Sequence, residues 1–217
     1  MEILPVLNFP DEQRFKEKLS QVKSFFPVFK FVHVDVADGS FTKGYSTWIT
    51  PAAFPSLFSE DLPKVSLHIM SNSTEQILDS WLAVKPARVI VHFDSLQNSE
   101  SVAKKCKDAG VEVYLAITLK TDMESFFAKV ADFSGALVLA VEPGLSGQEF
   151  QPAALLQISA IHEKLPSLPI CVDGGVNIDV VRACARAGAK QLAVGAHIFR
   201  QQDPAAAYGA FVQIAKE

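Results

Sequence analysis

Histidines and aspartates lie close to the ends of several strand-like runs in this sequence. His33 and Asp35 fall in the run FKFVHVDVADG, His68 falls in KVSLHIM, and Asp173 falls in LPICVDGG. Imidazole nitrogens and carboxylate oxygens together suit a divalent transition metal. His33 and Asp35 are two residues apart on a predicted strand, so their side chains leave by the same face. The pattern predicts metal-assisted chemistry with two carboxylates at one site.

Each of these residues alone has a simpler interpretation. A single histidine in an apolar run, such as His33, is commonly a hydrogen-bonded interior residue, and Asp38 before Gly39 favours a turn. The combination of four ligand-type residues, rather than any one of them, favours a metal site. His92 and Asp94 end another run, VIVHFDS, and we interpret them as outside the metal site because four ligands already suffice.

Strand-like and helix-like segments alternate along the whole chain. Apolar, β-branched runs are typical of parallel strands covered on both faces, and the amphipathic stretches between them are typical of covering helices. Eight such pairs average about 27 residues each, which suits the spacing of βαβ units. The strands are predicted at 2–7, 30–36, 64–69, 88–93, 111–117, 135–141, 169–173 and 190–194.

The fold prediction is an α/β protein with one (β/α)8 TIM barrel domain over residues 1–217. Helices are predicted over 11–26, 73–84, 98–110, 152–165 and 177–188, with Ser99 near the start of one and Gly188 at the end of another. An open doubly wound sheet is the alternative fold. Against it, no glycine-rich GxGxxG turn follows the first strand.

Composition narrows the range of partners. The formal net charge is -4 and the lysines and arginines are scattered, so we expect no nucleic-acid partner. No apolar run approaches the roughly 20 residues of a membrane span, so we expect no membrane partner. Cys106, Cys171 and Cys184 form no CxxC pair, and the first residues show no signal peptide. We therefore predict a cytoplasmic protein with reduced thiols.

Three glycine clusters follow the last three predicted strands. They are EPGLSGQ (142–148), DGG (173–175) and GAHIF (195–199). Glycine lets backbone N–H groups approach an anion closely, and barrel enzymes commonly bind phosphate at the loops after strands seven and eight. Together the three clusters favour a phosphate site, although each alone could simply be a turn.

Five segments resemble, in order and spacing, the motifs of ribulose-phosphate 3-epimerases. They are HVDVADGSF, LHIM, EPGLSGQEF, VDGGVN and AGAKQLAVGAHIF, and the resemblance extends from about residue 3 to 200. The resemblance implies a (β/α)8 barrel isomerase of the pentose phosphate pathway that epimerises carbon 3 of a ketose phosphate. In that family the substrates are D-ribulose 5-phosphate and D-xylulose 5-phosphate. Relatives are commonly dimers or hexamers, so a homo-oligomer is expected.

The resemblance also assigns roles to particular residues. One divalent ion (zinc, iron, manganese or cobalt) would be held by His33, Asp35, His68 and Asp173. Asp35 and Asp173 would be the acid–base pair that acts through a metal-stabilised ene-diolate. The residues implied at the substrate and its phosphate are His68, Gly144, Leu145, Ser146, Gly147, Gly174, Gly175, Gly195 and Ala196.

Several positions depart from the family pattern. A serine that the family usually has on the first strand aligns with Pro5, and methionines of the family pocket are replaced by Ala37 and Leu139, leaving Met70. Ala196 stands where a phosphate-binding serine is common. After the phenylalanine of HVDVADGSF the family usually runs Val-Pro-Asn, whereas this chain has TKGYSTW. These changes predict a divergent member with an altered pocket lining.

Three alternatives stay open at this point. The same machinery would serve a 3-epimerase of a ketohexose 6-phosphate such as allulose 6-phosphate. A non-catalytic sugar-phosphate-binding relative is the second alternative. A barrel lyase is the third, but it would need a lysine at a strand end, and Lys120 near the fifth strand is the only residue to check.

Overall fold

Eight parallel strands close into a barrel in chain order, with the eighth strand paired to the first. The computed structural model describes residues 1–25, 29–58 and 63–217. The predicted (β/α)8 barrel is confirmed, and no predicted strand boundary is wrong by more than two residues. The strands are β1 (Glu2–Leu7), β2 (Phe31–Ala37), β3 (Lys64–Met70), β4 (Arg88–His92), β5 (Glu112–Ile117), β6 (Gly135–Leu139), β7 (Ile170–Asp173) and β8 (Gln191–Val194).

Helices follow the strands around the outside of the barrel. They are α1 (Glu12–Ser24), α2 (Phe54–Leu57), α3 (Thr74–Leu82), α4 (Ser99–Asp108), α5 (Met123–Lys129), α6 (Ala154–Lys164), α7 (Val181–Ala187), α8 (Ala196–Phe199) and α9 (Pro204–Ile214). Residue 26, the end of the first predicted helix, lies outside the described residues. Asn98 rather than Ser99 caps α4, because the Asn98 side chain accepts a hydrogen bond from the Ser101 amide. Gly188 ends α7 in the left-handed conformation with φ 111°, as its position predicts.

Within the described part of the chain, no helix has both the length and the apolar character needed to cross a membrane.

Side chains on each strand alternate between two buried layers. On β2, Val32 and Val34 belong to the large apolar cluster shared with the helices, whereas His33 and Asp35 point to the other side. The barrel interior is filled by a second apolar cluster, made of Val6, Ile90, Tyr114, Ala116, Leu137, Leu139, Val141, Cys171 and Ala193. Both faces of the strands are therefore buried, which is why the strands read as continuous apolar runs.

Tyr114 fills the barrel interior beside the start of β6. The centroid of its ring lies 3.9 Å from the Arg88 guanidinium carbon. Arg88 in turn donates hydrogen bonds to Glu112 and Gln191. Gly135 is paired with Tyr114 in the β5–β6 register. A Cβ atom on Gly135 would lie 2.6 Å from ring atoms of Tyr114, so this position requires a residue with no side chain.

We expect Gly135→Ala to lower the free energy of unfolding by about 1–3 kcal/mol, because the added methyl group overpacks the ring of Tyr114. Urea denaturation measures the change. The matched control is Gly209→Ala in α9, where an added Cβ meets nothing within 4 Å. That change should stabilise the protein by up to about 1 kcal/mol, since alanine is the better helix former. Equal effects of the two substitutions would contradict the packing argument.

Candidate metal centre and active site

The four predicted ligand residues meet at the carboxyl-terminal end of the barrel. β2 presents His33 and Asp35, β3 presents His68 opposite Asp35 in register, and β7 ends on Asp173. All four side chains are buried, and one possible ligand atom from each lies within 4.8 Å of the others. The strand ends of a barrel are where its chemistry usually collects.

Five of the six distances between these atoms are close to those of a tetrahedral site. His33 Nε2 lies 3.0 Å from Asp35 Oδ1 and 3.3 Å from His68 Nδ1. Asp35 Oδ1 and His68 Nδ1 are 3.1 Å apart. Asp173 Oδ2 lies 3.6 Å from His33 Nε2 and 3.4 Å from His68 Nδ1. Ligands around an ion with bonds of about 2.0–2.1 Å would be about 3.3–3.4 Å apart. The observed spacings bracket that value, so the four residues could hold a metal ion.

The two carboxylates control the charge of the imidazole between them. Burial opposes a charge on His68, but the hydrogen bonds that Asp173 and Asp35 accept from it outweigh this effect and raise the pKa of His68 to about 9. Burial also opposes a charge on Asp35, yet its contacts with His33 and His68 hold the pKa of this carboxyl well below its usual range. The cluster therefore favours a positive charge between the carboxylates, carried by a proton or by a metal ion.

His92 lies behind His68, outside the four-atom cluster. Its Nε2 is 2.9 Å from His68 Nε2, and its ring packs on that of Phe41 with centroids 4.5 Å apart and the planes tilted by 35°. Burial and the neighbouring His68 lower the pKa of His92, so His92 is neutral and can accept a hydrogen bond. If His68 binds an ion through Nδ1, its proton must sit on Nε2, where His92 accepts it.

A cavity opens at the two aspartates. Asp35 and Asp173 line it, whereas His33 and His68 have no exposed surface and lie outside its lining. All the other predicted substrate- and phosphate-binding residues line the same cavity, namely Gly144, Leu145, Ser146, Gly147, Gly174, Gly175, Gly195 and Ala196. The structure therefore places the three glycine clusters and the two carboxylates around one space.

Part of the glycine signal has a structural cause. Gly174 and Gly175 have φ values of 94° and 67°, which favour glycine regardless of any ligand. A Cβ atom on Gly175 would also lie 2.6 Å from Phe150 Cα. These two glycines let the chain turn sharply after Asp173 and pack against the loop that precedes α6.

The residues that β1 brings to the cavity differ from the expectation. Val6, rather than Pro5, lines it, because side chains alternate along the strand and Pro5 faces the other way. Asn8, just after β1, also lines the cavity, and its Nδ2 lies 2.6 Å from Asp35 Oδ2. A lone asparagine after an apolar run carries no motif signal. Only the fold shows that Asn8 contacts Asp35.

The structure places no described lysine where the lyase alternative would need one, in the lining of this cavity. Lys120 is exposed and pairs with Glu142 at 2.7 Å. It does not line the cavity, and neither does any other lysine in the described part of the chain. Asp94 accepts a hydrogen bond from Thr121 at 2.6 Å and lies apart from the four-residue cluster.

Comparison with known proteins identifies relatives for most of the chain. A sequence model described as "Ribulose-phosphate 3 epimerase family" matches residues 3–199. A ribulose-phosphate 3-epimerase of Schizosaccharomyces pombe is 28% identical over 175 residues, which cover 80% of this chain and 77% of the relative. One from Eremothecium gossypii is 29% identical over 185 residues, with coverage of 80% and 77%.

Solved structures support the fold alone. The crystal structure of 3-hexulose-6-phosphate synthase from Salmonella typhimurium matches with a TM-score of 0.73 at 16% identity, covering 100% of this chain and 99% of that one.

The raised pKa of His68 predicts that metal binding releases a proton. In metal-free protein both ring nitrogens of His68 are protonated below pH about 9, and an ion bound at Nδ1 must displace the proton on that nitrogen. We expect one Zn²⁺ to bind per chain, with an affinity that rises about tenfold per pH unit between pH 6 and 8. Calorimetry in buffers of different ionisation enthalpy counts the protons. His68→Gln should abolish the release, and a pH-independent affinity would contradict this charge assignment.

Proposed function

The chain belongs to the ribulose-phosphate 3-epimerase family, and we propose on that premise that it interconverts D-ribulose 5-phosphate and D-xylulose 5-phosphate. One observation carries the proposal. Asp35 and Asp173 reach a single cavity together, beside two buried histidines and below loops rich in glycine. This arrangement suits the inversion of carbon 3 in a phosphorylated ketose.

We assign His33, Asp35, His68 and Asp173 as the ligands of one divalent ion. Two imidazole nitrogens and two carboxylate oxygens suit zinc, iron, manganese or cobalt, and cellular supply often decides between them. When bound, the ion supplies a Lewis acid that stabilises negative charge developing on the substrate oxygens.

Asp35 and Asp173 are assigned as the two proton-transfer groups. Epimerisation removes the carbon-3 proton from one face of the ketose and returns a proton to the opposite face. β1 and β8 separate the strands that carry the two aspartates, so the carboxylates approach the cavity from different sides. One carboxylate acts as base while the other, protonated, acts as acid, and their roles exchange in the reverse reaction.

The phosphate is assigned to the glycine loops. The Ser146 hydroxyl lies 3.7 Å from the place where a Cβ atom on Gly195 would sit, so it supplies a donor near Ala196, which has none. The Arg200 guanidinium packs on Gly147, with its carbon 2.8 Å from the corresponding Cβ position. We assign the backbone amides of these loops and the Ser146 hydroxyl as donors to the phosphate, with the Arg200 cation beside them although outside the cavity lining. Holding the phosphate positions carbon 3 without contacting it.

A ketohexose 6-phosphate remains the second candidate substrate because the apolar lining differs from the family pattern. Val6, Met70 and Leu139 line the cavity beside the carboxylates. A different apolar surface over carbon 3 changes which ketose fits, while the proton-transfer groups stay the same.

We expect the purified protein in heavy water to convert D-ribulose 5-phosphate into xylulose 5-phosphate that carries deuterium at carbon 3. Proton NMR follows the reaction. Chelation should stop it and added metal should restore it, because the ion stabilises the negative charge formed when the proton leaves. Allulose 6-phosphate is run in parallel. Turnover of that sugar alone would move the assignment to the second candidate, and no exchange in either sugar would favour a non-catalytic binding role.

Asp173→Asn should lower the rate of carbon-3 proton exchange by about 10²–10⁴-fold, because an amide cannot accept the proton. The affinity for ribulose 5-phosphate, measured by calorimetry, should change little since the phosphate loops are untouched. Metal content is measured in the same samples. Asp179→Asn, which removes an exposed carboxylate outside this cavity, is the matched control and should keep the wild-type rate. Near-normal exchange in Asp173→Asn would overturn the two-carboxylate mechanism.

A further inference from the structure

Asn8 makes a buried contact with one oxygen of Asp35. Its Nδ2 lies 2.6 Å from Asp35 Oδ2 and 3.3 Å from the Gly144 carbonyl oxygen, and the residue is only 8% exposed. The other oxygen of Asp35, Oδ1, faces His33 and His68. The two oxygens therefore have different partners, and Asn8 holds the one that points away from the imidazoles.

Tyr45 holds the oxygen end of the Asn8 amide. The Tyr45 hydroxyl donates to Asn8 Oδ1 at 2.6 Å. A reversed amide would place its oxygen against two acceptors, Asp35 Oδ2 and the Gly144 carbonyl, so these two groups decide which end carries the NH2 group, and the Tyr45 hydroxyl then donates to the oxygen at the other end. Burial, together with the charges of Asp35 and Asp11, raises the pKa of Tyr45 to about 12. The hydroxyl thus keeps its proton at the pH of any ordinary assay.

The turn that carries Tyr45 packs on the 142–148 loop, one of the loops to which the phosphate is assigned. The Tyr45 amide donates to the Thr42 carbonyl at 3.1 Å, and the Thr42 hydroxyl donates to the Tyr45 carbonyl. A Cβ atom on Gly144 would lie 3.1 Å from the Thr42 carbonyl oxygen and 3.6 Å from Tyr45 Cβ. This turn lies in the TKGYSTW segment, which departs from the family pattern.

We propose that Asn8 and Tyr45 form a positioning pair for Asp35. Tyr45 anchors the Asn8 amide through its oxygen, and Asn8 holds the Asp35 carboxylate in one orientation for proton transfer and metal binding. The inference rests on the role proposed above for Asp35, and neither member of the pair needs to touch the reacting carbon. Asp173 accepts no side-chain amide hydrogen bond within the described residues, so the two carboxylates are supported unequally.

A double-mutant cycle tests the pair. Asn8→Ala should lower kcat by about 10- to 100-fold with little change in KM, as loss of a supporting hydrogen bond to a metal ligand usually does. Tyr45→Phe removes one hydroxyl and should lower kcat by about three- to tenfold. The double variant should match Asn8→Ala alone within about twofold, because Tyr45 acts only through Asn8.

Metal affinity provides a readout that does not depend on turnover. Titration of metal-free protein with Co²⁺, followed by visible absorbance, should show a weakening of about 10- to 100-fold in Asn8→Ala. The double variant should again be no weaker than Asn8→Ala. Co²⁺ affinities can be compared across the cycle even if the protein does not epimerise ribulose 5-phosphate. Failure of the proposed reaction and failure of the positioning role of Asn8 and Tyr45 are therefore separate results.

The matched control is Tyr208→Phe. Tyr208 is buried and donates to the Ile3 carbonyl at 3.2 Å, far from the cavity, so losing its hydroxyl should leave kcat and Co²⁺ affinity unchanged. Additive losses from Asn8→Ala and Tyr45→Phe would overturn the pair, since they would show two independent effects. Wild-type kcat and Co²⁺ affinity in Asn8→Ala would overturn it as well.

Discussion

Two carboxylates buried beside two imidazoles impose the constraint on which the rest of this structure depends. Asp35 and Asp173 are almost fully buried, and a buried carboxylate without a compensating partner is strongly unfavourable. His33 and His68 lie within hydrogen-bonding distance of Asp35. The cluster therefore requires a proton or a metal ion, and β2, β3 and β7 must end at a common level to assemble it.

The strands of the barrel and the loops that follow them contribute different groups to the site. The four ligand-type residues lie on strands, where tight packing inside the barrel holds their side chains in fixed positions. The glycine loops supply backbone amides, which need conformations that other residues adopt poorly. Glu142, at the start of the 142–148 loop, is tied to Lys43 at 3.1 Å and to Lys120 at 2.7 Å. The loop next to the two aspartates thus makes ion pairs with two neighbouring loops.

Support for the ligand-type residues extends beyond the cluster. Asp35 Oδ2 is held by Asn8, and His68 Nε2 faces His92 Nε2, so each of these two residues has a partner on its far side. Such outer contacts orient a ligand and select its protonated nitrogen. Asn8 in turn joins the Asp35 carboxylate to the Gly144 carbonyl, so this carboxylate and the 142–148 loop share one hydrogen-bonding residue.

The sequence by itself determined the order of the strands, the family, and the four ligand-type residues and three glycine clusters that meet at the site. These features depend on local patterns: apolar periodicity defines β2 and β7, and short motifs mark His33, Asp35, His68 and Asp173. Which β1 side chain faces the cavity was decided only by the tertiary structure, where the pleat turns Val6 inward and Pro5 away. The contact of Tyr45 with Asn8, 37 residues earlier, also needed the folded chain. The parallel pairing of β1 with β2 brings these two loops together, and no local pattern encodes a distance between loops.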